Sequence, residues 1–150
     1  MSVFPLLRTL RQELAKPLAT LPLEQRQDGG AAPPPIHIGQ LPPRTRPEMG
    51  PFVLLQPLSG VQSEDSFHMV DVAIRVCVFN SGLEAAENDL FNLLELIRRE
   101  LAPFRQQSMN GKYVLTTSEG GLLPWTRPDD QAQPYLEAYI ISTWKLWGYE

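Results

Sequence analysis

Val70, Val72, Ile74, Val76 and Val78 recur at period two, with Asp71 and Arg75 between them facing the other way. That alternation predicts a long, half-buried strand. Before it, residues 52–58 (PheValLeuLeuGlnProLeu) are apolar on both faces, which predicts a short strand covered on two sides. After it, Ser81-Gly82-Leu83-Glu84 reads as a capping box, the Ser81 hydroxyl taking a first-turn amide while Glu84 reaches back. The helix so opened carries Leu90, Leu93, Leu94, Ile97 and Leu101 on one stripe, and Pro103 stops it.

The flanks add four more elements. Residues 3–16 read as a helix: Ser2 caps it, Pro5 is tolerated in the first turn, Leu7, Leu10 and Leu14 share a face, and Pro17 ends it. A proline-rich extended loop follows over residues 17–50, with Pro22, Pro33, Pro34, Pro35, Pro42, Pro43 and Pro47, broken by a short extended piece at residues 36–38. Downstream, residues 112–117 alternate as a strand, Glu119-Gly120-Gly121 makes a turn, and residues 122–126 form a second arm that Pro124 confines to an edge or a bulge. Residues 135–147 close the chain as a long strand, with Leu136, Ala138, Ile140, Trp144 and Leu146 on one face. The order α-β-β-α-β-β-β predicts a single α/β (α+β) domain over residues 1–150. Its sheet is mixed or antiparallel, of about four to five strands, with both helices against one face.

Composition then narrows the function. The chain has 150 residues, enough to bury a core without staples. A net charge of −4 argues against a generic nucleic-acid binder, which shows a basic stripe. Cys77 is the one cysteine and sits mid-strand, so no disulfide forms within the chain and the thiol reads as a small core residue. No apolar run approaches the ~20 residues of a membrane helix, and the first residues lack a signal-peptide core. A soluble protein made and used in the cytosol is expected.

Candidate chemistry is sparse. His37 and His68 lie in different segments without partners at zinc-ligand spacing. The acid pairs Glu64-Asp65 and Asp129-Asp130 sit in polar, turn-like stretches, where adjacent acids face solvent or make turns. Ser59-Gly60 and Ser81-Gly82 lack a nucleophile elbow, and no phosphate-cradling glycine pattern occurs. No enzyme, metal or cofactor is expected. Leu41-Pro42-Pro43-Arg44-Thr45-Arg46-Pro47 has the look of a polyproline ligand, and Arg44 and Arg46 are candidate loop contacts for an acidic neighbour or a phosphate. An adaptor recognised through that segment is one alternative function.

The last strand offers large apolar side chains to both faces, and helices on one side of the sheet cover only one set. Tyr139, Ile141 and Trp147, with Asp129 and Asp130 in the nearby polar loop, are therefore the candidate interface to a second protein chain.

Residues 51–56 (ProPheValLeuLeuGln), a strand ending ValCysValPhe, and the helix of residues 88–101 (AsnAspLeuPheAsnLeuLeuGluLeuIleArgArgGluLeu) resemble the tail terminator family of long-tailed bacteriophages. These are also called tail-to-head joining or tail completion proteins. Trp125 and the strand of residues 135–147 stand where that family has a tryptophan before its final strand. The resemblance covers residues 50–147; the proline-rich segment has no firm counterpart. It implies a structural virion protein at the tail–head junction, assembled in the host cytoplasm as a homo-hexameric ring. Such a ring caps the tail tube, stops its polymerisation and docks the head. The implied partners are further copies of the chain, the major tail tube protein and a head-completion connector, with DNA passing through the lumen unbound. A different neck or head-completion connector is the alternative within the same class.

Overall fold

The computed structural model describes residues 3–24, 31–39, 51–62, 68–80, 82–128 and 135–146. Two helices pack on one face of a six-stranded mixed sheet, so the α+β expectation holds. The long elements are helix α1 (Val3–Leu18), strands β4 (Phe52–Gln62) and β5 (His68–Phe79), helix α2 (Leu83–Leu101) and strand β8 (Tyr135–Leu146). The short ones are β1 (Leu23–Glu24), β2 (Ala31–Ala32), β3 (Ile36–Ile38), β6 (Tyr113–Thr116) and β7 (Trp125–Thr126). Sheet order is β3-β4-β5-β8-β6, with β7 also on β8. Among the described residues only the β3–β4 pair is parallel.

The valine set makes β5 central. Ile74 stands opposite Leu55 on one side and Ile140 on the other, and Val76 opposite Val53 and Ala138. Side chains opposite one another share a face, so three strands present one apolar surface. Onto it fall the α2 stripe (Leu90, Leu93, Leu94, Ile97, Leu101) and Leu7, Leu10 and Leu14 of α1, all at most 2% exposed. Trp144 is wholly buried there without an orphan N–H. Its Nε1 donates to Ser142 Oγ at 2.9 Å, and Ser142 Oγ donates to the Val72 carbonyl at 3.0 Å.

Several boundaries differ from expectation, each for a local reason. Pro17 lies inside the last turn of α1, where its missing N–H forfeits one bond but the next turn still closes, Ala19 N–H donating to Ala15 O. β4 runs on to Gln62 past Pro57 because the strand bulges: Pro57 pairs with Val72 and Ser59 with Asp71, leaving Leu58 as the extra residue. Among its described residues the proline-rich segment holds three short strands. β1 pairs with β2, and β3 lies beside β4, at the place of the expected extended piece. Residues 122–126 do not pair back on β6; only β7 forms, on β8. The capping box is replaced. Ser81 lies outside the described residues, and the N-cap is Gly82, without a side-chain cap. The Gly82 N–H donates to Asn80 Oδ1 (3.0 Å), and Asn80 Nδ2 donates to Asp89 (3.1 Å), tying the end of β5 to α2.

Ile74 carries the sharpest test of this register. Ile74→Asp places an unpaired carboxylate in the wholly buried centre of the set, a cost of about 3–5 kcal/mol. Chemical denaturation should show the variant largely unfolded; a melt like the parent's would refute the register.

Candidate functional site

The sheet face away from the helices is built from the other parity of β4, β5 and β8. At one end Phe52, Leu54 and Cys77 form a small buried cluster apart from the main core. Next to it, Arg75 Nη2 donates to Glu137 Oε1 at 3.1 Å, each side chain 23% exposed. Arg75 pairs in register with Tyr139, and its guanidinium lies 5.7 Å from the centre of that ring. Its Nε is buried with no hydrogen-bond partner. Ala73 stands opposite Ile141, and Tyr139 and Ile141 are both half-buried.

At the far end of the face Thr143 Oγ1 donates to Asp71 Oδ1 at 2.7 Å, and Ser118 Oγ lies 2.6 Å from the same Thr143 oxygen. Thr143 has one hydroxyl proton and spends it on Asp71, so Ser118 is the donor to Thr143. The chain Ser118–Thr143–Asp71 has the outline of a nucleophile relay but not its chemistry, because a threonine hydroxyl is no base at neutral pH. Cys77 offers no nucleophile either. Burial, reinforced by the charge of Glu137, pushes its thiol up to about 12, so it stays protonated. Burial lowers the pKa of His37 on β3, which favours the neutral ring. Among the described residues no three His, Cys, Asp or Glu side chains cluster to hold a metal, and no helix is long and apolar enough to cross a membrane.

Of the candidate interface residues, the structure brings Tyr139 and Ile141 together on this face. Trp147, Asp129, Asp130, Arg44 and Arg46 lie outside the described residues. The cross-strand ion pair escaped the sequence reading. Its only signal was the polar parity of Arg75 on β5 and Glu137 on β8, and the register that joins them is tertiary.

A second surface, on the helix side, also went unread. Phe91 lies off the buried stripe of α2 and meets Trp125 of β7 edge to face, ring centres 5.6 Å apart, both more than two-fifths exposed. Arg127 stacks over Phe91 (5.9 Å) and grips Glu87 of α2 with both terminal nitrogens, at 2.8 and 3.0 Å. That fork, before all else, holds the Glu87 carboxyl below its ordinary 4.5.

Two measurements check these assignments. Cys77 should resist alkylation in the native protein and react fully in denaturant; rapid native labelling would contradict its burial. For Glu87 the folded pKa lies below the unfolded one, so its stabilisation is present above the ordinary carboxylate value and lost as pH falls through the folded value. The pair is partly exposed, which limits its worth to about 1 kcal/mol at most. Arg127→Gln should raise the Glu87 carboxyl titration seen by NMR and weaken that acid loss of stability; an unmoved titration would break the assignment.

No family model matches the chain, and no curated protein matches it in sequence.

Proposed function

We propose that this chain is a structural protein of a phage virion that assembles into a ring capping the tail tube, ending its growth and offering the head a docking surface. The observation that carries the proposal is the one-sided packing of the helices. Both claim the Val72/Ile74/Val76 face, which leaves Tyr139 and Ile141 of the long β8 strand half-covered on the other. The resemblance of residues 50–147 to tail terminators supplies the partner class: further copies of the chain, the tail tube protein and a head-side connector. A chain laid over this face would also bring acceptors to the buried Arg75 Nε, whose desolvation costs about 1–3 kcal/mol while it stays unpaired.

A heterologous contact whose rotation closes makes a ring and leaves no free patch in its plane, which is the architecture proposed here. The net charge of −4 suits a conduit for DNA, since an acidic lumen does not hold phosphates by counterion release.

Covering Ile141 fully is worth up to roughly 1.5–3 kcal/mol, less the part the monomer already buries. Ile141→Glu should leave the circular dichroism of the monomer intact and abolish the species of about six times 16.9 kDa in native mass measurement. In complemented phage, negative-stain images should show tails of uncontrolled length without heads. A folded variant that still forms rings and normal virions would sink the proposal. An unfolded variant would show that the face is core.

A further inference from the structure

We propose that the cleft between α2 and the turn preceding β7 docks a protein segment in which a carboxylate lies beside a large apolar side chain. The cleft is about 430 Å³, floored by Leu94 and Leu123 and walled by Phe91 and Trp125. It lies on the helix side of the sheet, so it does not depend on the assembly reading above.

The charge pattern selects the partner. Arg99 already has a carboxylate partner in Glu95 at 2.9 Å, an exposed pair, and Arg127 has one in Glu87. Arg98 is exposed and has no carboxylate partner among the described residues, yet it is positioned: its Nε donates to the Leu123 carbonyl at 3.1 Å. One fixed guanidinium with its terminal amino groups uncommitted asks for one carboxylate, taken in a fork. Leu123 carries the matching strain. It is a non-glycine residue at φ 49, a left-handed conformation that tucks its side chain into the floor (1% exposed) and turns its carbonyl to Arg98.

The apolar demand comes from the walls. Phe91 and Trp125 are two of the four exposed large hydrophobic side chains among the described residues, and they touch each other. A tryptophan and an arginine at the mouth of an apolar pocket are the residue types that dominate binding energy at interfaces. An acid alone would leave these rings in water; an apolar side chain alone would leave Arg98 unpaired. The two demands sit side by side, and a polypeptide meets both with neighbouring residues.

Selection of a random dodecamer peptide library on the immobilised full chain tests this. Enriched peptides should place Asp or Glu within a few residues of Phe, Leu or Trp. The best of them, measured by fluorescence anisotropy, should lose about tenfold or more in affinity for Arg98→Glu and for Trp125→Ala. Arg105→Glu, a cation outside the cleft, should change nothing. Trp125→Ala leaves the Arg98–Leu123 bond in place, so it reads the cleft even if Arg98→Glu loosens the turn; circular dichroism checks the fold of each. No enrichment, or equal affinity for the cleft variants, would overturn the proposal. So would self-association of the parent that Trp125→Ala abolishes, because it would give the cleft to a second copy.

Discussion

The register of β5 between β4 and β8 is the constraint on which the remaining structure depends. A slip of one residue would send the alternate valines and Ile74 of β5 to the opposite face and drive Asp71 and Arg75 into the core. The correct parity is held from both sides. Apolar residues lock it against the helices, while on the reverse face Arg75 reaches Glu137 and Asp71 accepts from Thr143, bonds that only this pairing allows. The polar side of the sheet thus helps to specify what the apolar side stabilises.

Much of this was legible because it is local. The period-two valines and the leucine stripe of α2 each point to one face whatever they meet, and both stripes are buried as read. What failed to show was set by partners remote in sequence or by backbone detail. The Leu58 bulge needs the pairing with β5 to be seen at all, and β3 becomes a strand only because β4 lies beside it. Ser81 and Glu84 carried the letters of a capping box, yet the Asn80 amide, one residue earlier, accepts from the Gly82 N–H and reaches Asp89. Phe91 stands off the leucine stripe of α2, and the loop that brings Trp125 to it lies over thirty positions away in the chain.

The two surfaces differ in kind. The sheet face away from the helices grades from buried apolar residues (Phe52, Leu54, Cys77) through an ion pair to hydroxyls, with half-buried Tyr139 and Ile141 in the middle. The cleft is smaller and shaped, with its cation fixed in advance by Leu123. The first is the surface of the proposed subunit contact, the second that of the proposed short anchor.

The β5–β8 pairing also has a consequence for synthesis. Arg75 and Glu137 are 62 positions apart, so the strand that completes the sheet leaves the ribosome long after the strand it must pair with. Until then β5 shows an open edge whose unpaired N–H and C=O groups are a ready template for another chain. Topologies closed by so distant a partner fold slowly. In a cell making many copies at once, the interval before β8 emerges is when this protein is most exposed to pairing with the wrong molecule.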